Sequence, residues 1–223
     1  MPMVMSQNLI AHHDPKSPAS EAYRSLRTNL HYASIDRDIK SLVITSPTAA
    51  DGKTTTAANL AISMAQNGKR VLLMDADLRK PKIHRYFGIP NGTGLTHLLV
   101  QDAQPNDAVV KAPGIDNLFL VTSGSTPPNP SELISSERMR QLIRELADQY
   151  DLVILDTPPA AQVTDSVQLA GETDGSLMVV SAGETHIDRT IQAVKSLKNV
   201  NAKILGEVLV KTENKGKNYY YYY

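Results

Sequence analysis

Four stretches of this chain carry residue types that could do chemistry. Pro47-Thr48-Ala49-Ala50-Asp51-Gly52-Lys53-Thr54-Thr55 contains the Gly-Lys-Thr of a phosphate loop. Asp75 and Asp77 stand two residues apart at the end of one apolar run, and Asp156 ends another. The sequence closes on five consecutive tyrosines, Tyr219, Tyr220, Tyr221, Tyr222 and Tyr223. In a strand–loop–helix setting, loop amides and the helix start aim donors at phosphate oxygens. Lys53 would bridge the β- and γ-phosphates, and the Thr54 hydroxyl would ligate magnesium. Ala50, Asp51, Gly52 and Thr55 complete the nucleotide-binding candidates at the loop, with Lys211 from the far end of the chain. Phosphoryl transfer also needs a cation on the leaving phosphates and a group that positions or deprotonates the nucleophile. Asp156 is the natural magnesium carboxylate. Asp75 or Asp77 could accept the proton of a phenol, whose pKa of about 10 makes the base mainly a positioning group until bond formation drives proton loss. Bound ATP and a cluster of phenols are the two halves of a tyrosine phosphorylation.

The elements that must hold these residues are legible as short apolar runs: 41–46, 70–75, 117–123, 151–156, 175–181 and 204–210. Most lack polar alternation, as strands covered on both faces do. Helical patterns separate them at 55–67, 131–149, 164–170 and 187–197, and Ala22, Leu26, Leu30 and Ala33 form a further helical stripe. Asn129, Pro130 and Glu132 mark a helix start, with Asn129 as the capping residue. Strand alternating with helix predicts an α/β fold of the P-loop NTPase type: a doubly wound, mostly parallel sheet with helices on both faces. Ligands of such sheets lie beyond the carboxyl ends of the strands, where all three acidic and phosphate-binding motifs fall.

Composition narrows the function classes. Lys+Arg and Asp+Glu are 23 each, so no basic field draws the chain to nucleic acid. Cysteine is absent, which removes disulfides, thiol catalysis and zinc–cysteine sites. The N-terminal stretch has neither the charged start nor the long apolar core of a signal peptide, and no run reaches a membrane span. The expected organisation is an extended arm over 1–18, with His12 and His13 as solvated residues, a kinase-type domain over 19–211, and a flexible tyrosine tail over 212–223. Arg79 and Lys80 read either as phosphate contacts or as ordinary surface bases. The loop lacks its usual glycines at Ala49 and Ala50; a positive φ at either would cost on the order of 1 kcal/mol.

In combination, VITSPTAADGKT, VLLMDADLR, VILDTPP, the tyrosine tail and Glu21-x-x-Arg24-x-x-Arg27 resemble the bacterial tyrosine kinases of capsule and exopolysaccharide operons, in their cytoplasmic single-domain form. The likeness runs from about residue 14 to the end. It implies ATP and Mg2+, autophosphorylation in trans on the tyrosine tail, and an octameric ring. It further implies a membrane-bound activator of the polysaccharide co-polymerase type, a cognate tyrosine phosphatase, and a cytoplasmic location at the inner face of the plasma membrane through that activator. By motif position, Asp75 is the favoured base, Asp77 and Asp156 organise the metal with Thr54, and Glu21, Arg24 and Arg27 meet a neighbouring subunit. The spacing of that triplet places it on one helical face independently. Val210 stands where related proteins often carry an asparagine that reads the adenine edge, which leaves base recognition to backbone groups. Two other readings compete: a nucleotide-gated scaffold without catalysis, and a partitioning-type ATPase. Thr48, where the latter proteins typically place a lysine, argues against it.

Overall fold

The computed structural model describes residues 4–33 and 38–212. In chain order these form α1 (Ile10–His13), α2 (Pro18–Ala33), β1 (Ser41–Thr45), α3 (Lys53–Gln66), β2 (Val71–Asp75), α4 (Ile83–Tyr86), α5 (Leu95–Leu99), α6 (Pro105–Ala108), β3 (Val109–Lys111), β4 (Leu118–Val121), α7 (Pro130–Ile134), α8 (Glu137–Ala147), β5 (Leu152–Asp156), α9 (Asp165–Gly171), β6 (Gly175–Ser181), α10 (Ile187–Asn199) and β7 (Ile204–Val210). Among the described residues the strands make one sheet in the order β3-β4-β2-β5-β1-β6-β7. Every pairing is parallel except β3 with β4.

The unbroken apolar runs follow from burial on both faces. Alternate side chains of one strand enter different cores: Leu42 and Ile44 pack with α3, whereas Val43 packs with the α5, α8, α9 and α10 side. In α8 the stripe Met139, Leu142, Ile143 and Leu146 is buried, at the spacing one helical face requires.

Three expectations change. The helix expected over 131–149 is two helices, because Ser136 leaves the helical region at ψ 153° and its hydroxyl accepts from the Met139 amide, starting α8 afresh. Asn129 makes no side-chain capping bond; its amide instead donates to Glu132. In α2, Leu26 and Leu30 of the expected stripe face inward, joined by Tyr23 and Arg27, whereas Ala22 and Ala33 are exposed.

The N-terminal segment is the largest correction. Among the described residues, 4–17 are a folded strap along α3 rather than part of an extended arm. Leu9 is fully buried, which contributes about 2 kcal/mol. Asn59 of α3, also fully buried, accepts from the Ala11 amide at 2.9 Å and donates to the Asn8 carbonyl at 2.8 Å. Gln66 donates to the Ala11 carbonyl at 2.9 Å. These bonds satisfy strap backbone groups that a buried Leu9 would otherwise strand.

Candidate active site

The strand order sets the site. β5 lies between β1 and β2, so the loop leaving β1, Asp156 ending β5 and Asp75 ending β2 stand side by side on the carboxyl rim. Asp75 and Asp156 are register partners, and the Ala76 amide donates to the Asp156 carbonyl at 2.9 Å. The loop turns back at Ala50, with φ +68°, and at Gly52, with φ +91°, and then enters α3 at Lys53. Of the two alanines in doubt, Ala50 is thus the one in the left-handed region. The φ of Gly52 favours glycine, and a Cβ there would also sit tight against Val210 Cγ2 at 3.3 Å.

Lys53 is the hub. Its Nζ donates to Asp77 Oδ2 at 3.0 Å, and to Asp156 Oδ1 and Thr54 Oγ1 at 3.5 Å each. Asp77 is fixed by the Lys80 amide on Oδ1 at 3.0 Å. Asp75 Oδ2 accepts from the Lys82 and Ile83 amides, both at 2.9 Å, at the start of α4. Asp75 and Asp156 are completely buried, and Asp75 Oδ1 and Asp156 Oδ2 have no hydrogen-bond partner among the described residues.

The charges are coupled. Burial, and then Asp156 beside it, push the Asp75 carboxyl up to about 7. Burial also raises Asp156, against the opposing pull of Lys53. Burial alone would lower the Lys53 ammonium, but Asp156, Asp77 and Asp75 outweigh it and raise its pKa. Three acids therefore share one ammonium in a dry site. Among the described residues no group of three or more acidic or histidine side chains is placed to cage a metal. Mg2+ does not need one: it takes one or two carboxylates, a hydroxyl, water and substrate phosphates. The orphaned Asp156 oxygen, with Thr54 and Asp77 around the same Lys53 ammonium, fits that demand.

On the other flank of the loop the expected Asp51, Thr55 and Lys211 meet partners that no local pattern marks: Thr185, Tyr86 and Glu184. Asp51 Oδ2 accepts from the Thr48 amide at 2.7 Å and hydroxyl at 2.8 Å, and its Oδ1 accepts from Thr185 Oγ1 at 2.8 Å. Lys211 Nζ reaches the Ala50 carbonyl at 3.1 Å and Glu184 at 2.5 Å. Thr55 Oγ1 bonds the Tyr86 hydroxyl at 2.8 Å. Thr185 and Glu184 follow β6 at its carboxyl end, so the strand-end rule marks their location although no motif does. Arg79 is not at the phosphate loop's service: its guanidinium donates to Asp165 at 3.0 Å and Ser131 at 2.6 Å. On α2, Arg24 pairs with Glu21 at 2.5 Å and also meets the Pro15 carbonyl, and Arg27 donates to the Ser63 carbonyl at 2.9 Å. Glu21 is exposed. Tyr219–Tyr223 lie outside the described residues.

A family model described as AAA domain matches residues 40–205. Tyrosine-protein kinase YwqD of Bacillus subtilis is 45% identical over 219 residues, 98% of this chain and 92% of that relative. Putative tyrosine-protein kinase CapB of Staphylococcus aureus is 38% identical over 216 residues, 96% of this chain and 94% of that relative. The solved kinase domain of Escherichia coli tyrosine kinase ETK superposes with a TM-score of 0.90 at 34% identity, covering 96% of this chain and 84% of that one.

Proposed function

We propose that this chain, which belongs to the bacterial tyrosine-protein kinase family on an AAA-type nucleotide-binding domain, transfers the γ-phosphoryl group of ATP to tyrosines of its own C-terminal cluster in a neighbouring copy. The observation that carries the reading is the convergence of Lys53, Asp75, Asp77 and Asp156 beside the loop amides, with two acid oxygens unsatisfied. A buried carboxylate oxygen without a partner costs free energy unless a ligand completes it.

In the proposed reaction the loop amides, with Ala50, Asp51, Gly52 and Thr55 shaping them, seat the phosphates. Lys53 exchanges its carboxylate partners for phosphate oxygens, and Lys211 braces the loop from the sheet edge. Asp77, Asp156 and Thr54 would hold Mg2+, which when bound supplies neutralisation of charge on the β- and γ-oxygens. Asp75, held near 7 by its dry surroundings, is the base that matches a reaction near neutral pH. The phenol oxygen of an acceptor bonds to the γ-phosphorus, the bond from that phosphorus to the β–γ bridging oxygen breaks, ADP leaves, and the phenol proton passes to Asp75.

The acceptors are Tyr219–Tyr223, and transfer in trans calls for self-assembly, which we assign to Glu21, Arg24 and Arg27 of α2. No helix among the described residues is long and apolar enough to cross a membrane. We assign membrane contact to a separate activating protein of the polysaccharide machinery, and removal of the phosphates to a cognate phosphatase. Synthesis and export of capsular or extracellular polysaccharide is the process so regulated.

Mass spectrometry of purified protein after incubation with ATP and Mg2+ tests the reading. Phosphate is expected on Tyr219–Tyr223, with Lys53→Met lowering it by about 100-fold or more. A wild-type protein that binds ATP and leaves every tyrosine unmodified would instead be a nucleotide-gated scaffold.

A further inference from the structure

A nucleoside triphosphate held by the loop at Gly52–Thr55 must place its nucleoside in solvent or in an adjoining cleft. One cleft of about 360 Å3 adjoins the loop. Gly52 and Thr55 form one side, Val210 the sheet-edge end, and the N-terminal strap with α2 the opposite wall, through Gln7, Asn8 and Tyr23. The Val210 side chain offers a base no hydrogen bond. The strap does: Gln7 and Asn8 are exposed, and their side-chain amides have no hydrogen-bond partner among the described residues.

The strap is not loosely laid there. The Asn8 carbonyl is held at 2.8 Å by Asn59, whose amide also donates to the Thr55 carbonyl at 2.9 Å. The Ser6 amide donates to the Tyr86 carbonyl at 2.8 Å, and the Tyr86 hydroxyl meets Thr55 Oγ1. Strap and phosphate loop are therefore referenced to the same residue, Thr55, and the cleft between them is fixed before any ligand enters.

We propose that the N-terminal strap is the base-selecting wall of the nucleotide site, with the Gln7 and Asn8 carboxamides reading adenine. A carboxamide presents an acceptor beside a donor, which complements the amino group and adjacent ring nitrogen of adenine. On the edge that carries the adenine amino group and N7, guanine presents two acceptors, O6 and N7, so a carboxamide there keeps its donor contact while its oxygen faces another lone pair. Tyr23 closes the cleft behind the base. This inference rests on the nucleotide-binding reading above and assigns the residues that make it specific for ATP.

The test is equilibrium binding of Mg-ATP and Mg-GTP to the full chain and to two variants, Gln7→Ala/Asn8→Ala and Gln7→Glu/Asn8→Asp. The double alanine variant is expected to reduce the ATP-over-GTP preference about tenfold, with GTP affinity moved less than about twofold. The carboxylate variant, which keeps the shape and can only accept, is expected to shift the preference further toward GTP, whose base donates at two adjacent positions. Hydrogen exchange at residues 6–13 checks that the strap stays docked; if it undocks in the alanine variant, the isosteric carboxylate variant decides. Unchanged preference in a variant with a docked strap overturns the assignment, as does a wild type that binds both nucleotides equally. A wild type that phosphorylates its tyrosines yet shows either result loses only the strap's role. One that binds neither nucleotide loses the kinase reading as well.

Discussion

On one flank of the phosphate loop, Lys53, Asp77 and Asp156 meet with side-chain exposures of 10%, 7% and 1%. On the other, Lys211 and Glu184 meet with 42% and 60% exposed. The exposed pair is the shorter, at 2.5 Å against 3.0 and 3.5 Å. Distance alone would rank it the stronger, and burial reverses the order. Water and salt compete for the outer charges and leave such pairs little net worth. The inner charges have no solvent to return to, so each depends on the others. The inner flank is a place where protonation and ligand binding carry large free energies. The outer flank is a brace.

Asp75 gives the largest separation between the two flanks. Its folded value near 7 lies above the ordinary 3.8. The native state therefore holds a proton that the unfolded chain has released, and stability falls as pH rises through that window. It is fully present below about pH 4 and changes little above 7. Other groups add their own slopes, so the quantity to measure is the difference between wild type and Asp75→Asn without nucleotide or divalent metal. Urea unfolding is expected to show the variant gaining on the order of 2–4 kcal/mol relative to wild type between pH 4 and 7. A flat difference would mean that the inner acids are better solvated than their burial implies.

Ala50 probes the loop that joins the flanks. Glycine adopts φ +68° without the Cβ penalty, at the cost of a more flexible unfolded chain. Ala50→Gly should raise stability by about 0.5–1 kcal/mol by the same denaturation measurement. A loss would show that Ala50 has contacts worth more than its strain.

Glu184→Gln should do least. Lys211 draws the Glu184 pKa downward, but both groups are washed by solvent. The melting temperature is expected to stay within about 2 °C at 150 mM salt, with any difference shrinking further as salt rises. A larger, salt-resistant shift would sharpen the comparison in an unexpected direction, by making the brace part of the buried network.

The sheet was readable because its strands are apolar on both faces and end in residues that stop them, as Asp156 before Thr157-Pro158-Pro159 does. Gly52-Lys53-Thr54 and the strand-end acids were readable because phosphate chemistry constrains adjacent residues. The strap was not. Its anchor is Asn59, a buried polar residue of α3 that lies 48 positions from the Ala11 amide it holds, and prolines nearby imitate an extended arm. The Asp51–Thr185 bond spans 134 positions and has no local signature at either end. Short pieces such as β3, α4 and α6 lie below the length at which periodicity speaks.

β1 is the first strand to be made, yet its neighbours β5 and β6 pair with it through Ser41↔Val153 and Leu42↔Gly175. More than 100 residues must leave the ribosome before either edge of β1 is covered. At about 5–20 residues per second that is a wait on the order of ten seconds with an apolar strand unpaired. Transient exposure of an unpaired apolar strand during synthesis, rather than weakness of the finished sheet, is the vulnerability this topology creates.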